Sequence, residues 1–68
     1  MAISARNQLS GRITNVKLGT IMAHVTVQVG ENEIESVITR RSAEELQLKP
    51  GDTVTVIIKS TEVMLSKG

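Results

Sequence analysis

The dominant spacing along this chain is two. From Met22 to Val29, MAHVTVQV, the residues Ala23, Val25, Val27 and Val29 fall on one face. Met22, His24, Thr26 and Gln28 fall on the other. That alternation is the mark of a half-buried strand. Leu9, Gly11 and Ile13 alternate with Ser10, Arg12 and Thr14 in the same way. Val16 then breaks the phase, which predicts a bulge or bend near Thr14-Asn15. Gly19 supplies a turn before the second strand and Gly30-Glu31-Asn32 one after it. Ile34 to Thr39 (IESVIT) reads as a third strand. Thr53 to Lys59 (TVTVIIK), rich in β-branched residues, reads as a fourth, and Thr61 to Leu65 (TEVML) as a short fifth.

Between the third and fourth strands the period changes. Ser42-Ala43-Glu44-Glu45 has the Ser-x-x-Glu spacing of a capping box, in which each end satisfies an orphan amide of the other. Leu46 and Leu48 follow, and Lys49-Pro50-Gly51-Asp52 stops the helix after little more than two turns. Five short strands and one short helix predict an all-β fold, a small five-stranded Greek-key barrel of the OB type. With no internal repeat and no low-complexity tract, residues 1–68 read as a single domain.

Composition narrows the function. At 68 residues a single core gives a thin stability margin, so an extra staple is expected. The chain has no cysteine and only one histidine, which removes disulfides and leaves too few ligands for a cation site within one chain. Association of copies is the staple that remains. Phe, Tyr and Trp are all absent, so there is no platform on which to stack the bases of a single-stranded nucleic acid. Eight Lys/Arg against seven Asp/Glu give a net charge of +1, too small a field to hold a polyanion. Met1-Ala2-Ile3 leads into polar residues rather than an apolar signal region, and no run approaches the length of a membrane span. A soluble cytoplasmic protein, with no nucleic-acid or membrane partner, is the expectation.

Few side chains invite chemistry. His24, between Met22 and Thr26 on a strand, reads as a surface or interface residue, and Met22 and Met64 as gap-filling apolar residues. Glu44-Glu45 fall in the first turn of a helix, where acids favour the dipole. Glu31, Glu33 and Glu35 fall on a turn and the outer face of a strand. No nucleophile–base pair is visible, so an enzyme is not expected. Arg40-Arg41 reads as a solvated connection, with oxyanion binding near a helix start as a minor option. Lys59-Ser60-Thr61 stands out. It offers an ammonium, two hydroxyls and backbone amides where a strand ends, and Ser4 and Arg6 offer a hydroxyl and a planar fork at the other terminus. Ser4, Arg6, Lys59 and Ser60 all donate hydrogen bonds and none is negative, the set a tetrahedral oxyanion requires.

Taken jointly, ISARNQLSGRI, VITRRSAEELQLKPGDTVTV and VIIKSTEVML make the chain resemble the molbindins over essentially its whole length. These are molybdate-binding proteins of the Mop family, built on the transport-associated OB-like (TOBE) fold. The resemblance implies a hexamer, a trimer of dimers, that binds molybdate at subunit interfaces, with tungstate as a substitute, for storage or homeostasis. By position it implies that Ser4, Ala5 (through its backbone amide), Arg6, Thr39, Lys59 and Ser60 bind the ion, with Lys59 and Ser60 coming from a neighbouring subunit. Asn7 and Gln8 are expected to orient the loop without touching the ion.

The resemblance also implies a second oxyanion site near a threefold axis, at the turn before the second strand. Gly19, Thr20, Met22 and His24 are its candidates here. The alternative from another class is a swapped-hairpin DNA-binding regulator of the antitoxin or transition-state type, because SAEELQLKPGDTVTV resembles the second half of that fold. ITRRS stands where that family has a proline-containing entry to the helix, and salt-sensitive DNA binding would mark it.

Overall fold

The computed structural model describes residues 3–68; Met1 and Ala2, the start of the segment read against a signal peptide, lie outside the described residues. Four strands, β1 (Asn7–Leu18), β2 (Met22–Val29), β3 (Asn32–Thr39) and β4 (Thr53–Ile58), form one antiparallel sheet in the order β3-β2-β1-β4. A six-residue helix, α1 (Arg40–Glu45), links β3 to β4.

The two-residue period is obeyed where it was read. Ala23, Val25 and Val27 are buried while Met22 and His24 on the opposite face are exposed. The pairing register of β1 with β2 shifts between Ile13 and Asn15, which is the bulge that the phase break at Val16 predicts. Ile13, the most deeply buried large side chain, sits at that bulge and clusters with Val25 and Val27. Its backbone is held from the far side, for Gly51 N–H donates to its carbonyl at 2.8 Å and its own N–H donates to Asp52 O at 2.9 Å. Lys49 in turn donates from Nζ and its backbone amide to the Asp52 carboxylate, at 3.0 and 3.1 Å, and holds it below the ordinary carboxylate range. Gly11 is forced by packing: a Cβ there would lie 2.6 Å from Val27 Cγ1 and 2.9 Å from Gln28 O.

Two expectations are corrected. The helix begins earlier than the Ser-x-x-Glu spacing implied. Thr39 is its N-cap, accepting from Ser42 N–H at 3.1 Å, and Ser42 is the third helical residue. Either hydroxyl can cap, and the chain uses the one that ends β3, so Arg40 and Arg41 enter the helix itself. The helix closes before Lys49-Pro50-Gly51-Asp52, through Gln47 N–H to Glu44 O (3.0 Å) and Leu48 N–H to Ala43 O (3.1 Å). Gln47 adopts φ 53° to make this left-handed ending.

The second correction concerns Thr61–Leu65. No fifth strand forms among the described residues, and the sheet is open rather than a closed five-stranded barrel. After β4 a 3₁₀ turn (Ser60–Glu62) carries the chain off the β1–β4 ladder, and Met64 and Leu65 are left 93% and 94% exposed. Alternation alone does not make a strand; its backbone needs a neighbour to pair with, and this segment has none among the described residues. The space between β3 and β4 is instead an apolar groove of about 180 Å³, lined by Ile13, Ile38, Leu48, Val54 and Val56 among others. Among the described residues no helix is long and apolar enough to cross a membrane.

Candidate functional site

The candidate residues gather in two places. The first is the open end of the β1–β4 ladder. Asn7, the first residue of β1, pairs with Ile58, the last of β4. Ala5–Arg6 and Lys59–Ser60 therefore leave the sheet at the same end.

Local bonds shape this end. Asn7 Nδ2 donates to Ile58 O at 3.2 Å and Gln8 Nε2 donates back to Ala5 O at 3.0 Å. Both amides of the SARNQL segment thus hold backbone, the orienting role expected of them. Ala5 is buried, while Ser4 and Arg6 on either side of it are exposed. One anchored alanine in an extended segment turns its two neighbours outward together. Lys59 precedes the 3₁₀ turn, where Glu62 N–H donates to Lys59 O at 2.9 Å. No side-chain hydrogen bond or ion pair among the described residues uses Ser4, Arg6, Lys59 or Ser60. Two cations and two hydroxyls are free to serve an acceptor from outside.

Thr39 is not brought to this group. It caps α1 at the β3 end, where it lines a shallow depression with Thr20, Ile21, Arg40, Arg41 and Glu44. Its hydroxyl accepts from Ser42 N–H and donates to Ser42 Oγ at 2.8 Å.

The second place is therefore the β1–β2 turn with Thr39 and α1 beside it. Gly19 closes the turn through N–H to Met22 O at 2.8 Å, and a Cβ on Gly19 would meet that same oxygen at 2.9 Å. The close approach requires glycine, and it also uses the Gly19 amide, leaving that group nothing for a ligand. Thr20 and Ile21 make no backbone hydrogen bond through their amides among the described residues. Met22 pairs with Thr39 across the β2–β3 ladder and is half exposed. His24, one step further along β2, bonds through Nε2 to Glu35 Oε2, and Thr26 Oγ1 donates to Glu35 Oε1 at 3.1 Å. An oxyanion approaching His24 also meets the Glu35 charge, which works against a ligand role for this histidine in one chain.

Sequence reading undervalued Arg40. Its guanidinium donates to Gly19 O at 3.2 Å and its backbone N–H to Ile21 O at 2.7 Å. Nothing in the local spacing shows that a residue at the helix start reaches back across the sheet; only the position of β3 beside β2 does so.

Comparison with known proteins gives the family. The TOBE domain profile matches residues 3–65. Molybdenum-pterin-binding protein 1 of Clostridium pasteurianum is 48% identical over 66 residues, covering 96% of this chain and 97% of its own. A molybdate-binding protein from Sporomusa ovata superposes with a TM-score of 0.94 at 37% identity, over 98% of this chain and all of the other. The cytoplasmic molybdate-binding protein ModG, solved with molybdate bound, superposes with a TM-score of 0.82 at 36% identity, over 88% of this chain and 43% of its own. The full-length agreement in sequence and in fold establishes that this chain belongs to the Mop, or molbindin, family of TOBE domains.

Proposed function

We propose that this chain, acting as one domain, binds molybdate between copies of itself and serves its storage or homeostasis in the cytoplasm, with tungstate as a substitute. The observation that carries the reading is that Ser4, Arg6, Lys59 and Ser60 stand at one end of the β1–β4 ladder, none with a side-chain partner among the described residues, so each copy presents both halves of a site to a neighbour. Molybdate is a tetrahedral dianion, and its burial is tolerable only where donors replace its water. Charge-assisted bonds from a guanidinium and an ammonium supply the strongest of these, and hydroxyls and backbone amides such as that of Ala5 complete the set. The likeness to molybdate-binding proteins supports the same ligand.

The bare oxyanion is favoured over a pterin complex of the metal. A pterin ring needs a flat partner, and the chain contains no Phe, Tyr or Trp. The role is binding rather than catalysis.

Association is part of the proposal. Val63, Met64 and Leu65 are exposed, and an apolar groove lies open between β3 and β4. Exposed apolar surface on this scale in a small domain calls for a partner, and a second copy supplies Lys59 and Ser60 to complete a site on the first. A hexamer, as a trimer of dimers, then offers Thr39 of one copy to a site on another. It also brings the β1–β2 turns together at a threefold axis, where Thr20, with the segment Gly19–Met22 and His24 around it, forms a second class of oxyanion site. The likeness over the whole chain to molybdate-binding structures favours this reading over a swapped-hairpin DNA-binding regulator.

Native mass spectrometry with elemental analysis, after incubation with molybdate, tungstate or sulfate, tests the proposal. The expected result is a hexamer that retains molybdenum or tungsten and releases sulfate, which is too small to reach all the donors at once. A monomer that retains no oxyanion overturns it.

A further inference from the structure

We infer that Arg40 is the positioning residue of the β1–β2 turn, holding that turn in the form in which it can receive an anion. The inference rests on the second class of oxyanion site proposed above, and it assigns a role to a residue that touches no ligand. Two carbonyls of the turn, at Gly19 and Ile21, accept from Arg40, while that of Thr20 accepts no backbone hydrogen bond among the described residues. Arg40 takes both, the first through its guanidinium at 3.2 Å and the second through its backbone N–H at 2.7 Å. A carbonyl facing an approaching dianion repels it, so engaging these two oxygens lowers the repulsion at a turn where the amides of Thr20 and Ile21 can donate. Those amides make no backbone bond among the described residues.

Arg40 is itself steadied. Its Nε lies 3.6 Å from Glu44 Oε2, one helical turn on, and the Thr39 cap fixes where the helix begins. The turn is thereby tied to the end of β3, so its shape depends on a contact 21 residues away in sequence. The guanidinium also places a positive charge beside the turn, so the test must separate charge from positioning.

Molybdate titrations of the intact oligomer by calorimetry, run beside hydrogen–deuterium exchange of the peptide containing Thr20–Met22, do so with Arg40→Met and Arg40→Lys. Arg40→Met removes donor and charge, while Arg40→Lys keeps the charge and loses the planar fork. In the unaltered protein two classes of site are expected, with the turn peptide protected by molybdate. In Arg40→Met the second class weakens at least tenfold and the turn peptide exchanges faster without ligand. The interface class changes less than twofold, which a general loss of stability would not allow. In Arg40→Lys the second class stays weakened and the exchange stays fast. Restoration of binding by lysine with exchange still fast overturns positioning in favour of charge alone. Two classes that persist unchanged in Arg40→Met overturn the role of Arg40 while leaving the second site standing. Saturation of the unaltered protein at the interface sites alone overturns the second site, and the inference with it.

Discussion

Asn7 stands opposite Ile58 at the last rung of the β1–β4 ladder, and its side-chain amide donates to the Ile58 carbonyl at 3.2 Å. From that rung Arg6 and Lys59 leave the sheet at the same end. With Gln8 tying down the Ala5 carbonyl, the rung turns a leading segment that would otherwise fray into a fixed array of donors.

Gln8→Ala removes the bond to Ala5 O and leaves every proposed ligand in place. The expected outcome is a small stability loss of about 1 kcal/mol with a severalfold weaker molybdate affinity, read by calorimetry and thermal unfolding together. An affinity equal to that of the unaltered protein would show that the segment is held without Gln8.

Thr39 has a demonstrable duty in capping α1, separate from the ligand role proposed for it in the assembly. Thr39→Val should cost about 1 kcal/mol of stability, whereas Thr39→Ser, which keeps the hydroxyl, should cost much less. Denaturant unfolding of the two variants measures the difference. Equal losses would mean that the methyl group, not the cap, matters at this position.

At Gly11 the limit is space rather than backbone conformation. A methyl group meets Val27 Cγ1 at 2.6 Å and the Gln28 backbone at 2.9 Å, so the β1–β2 pairing must shift to admit it. Gly11→Ala is expected to destabilise by about 1–3 kcal/mol, measured as a lowered unfolding midpoint. Because Gly11 lies on β1, the strand that also carries Asn7, weaker molybdate binding should accompany it.

The exposed tail gives a test of association. Met64→Asp combined with Leu65→Asp places two charges where the chain now exposes two large apolar side chains. Sedimentation should show the assembly falling to smaller species, while circular dichroism retains the four-stranded sheet. An unchanged hexamer would move the interface elsewhere.

Much of this architecture is legible in the sequence because it is set by short-range rules. The alternation in MAHVTVQV gives β2 residue for residue, and the phase break at Val16 gives the bulge at Ile13–Asn15. Where two groups compete for one duty, spacing does not decide: Thr39 and Ser42 both suit an N-cap, and the end of β3 selects Thr39. TEVML carries the pattern of a strand but has no ladder to join among the described residues. The same division runs through the site. Ser4, Arg6, Lys59 and Ser60 are recognisable by chemistry, whereas the reach of Arg40 to Gly19 depends on which strands become neighbours.

The central claim is that Ser4 and Arg6 of one copy hold molybdate together with Lys59 and Ser60 of another, and Arg6 is the member to test. Isothermal calorimetry of molybdate binding to Arg6→Ala, on a sample verified by sedimentation to keep its assembly, addresses it directly. Losing a charge-assisted pair of about 1.5–3 kcal/mol predicts an affinity at the interface sites weakened by at least tenfold, with the fold intact. Unchanged affinity and stoichiometry in that variant would contradict the account.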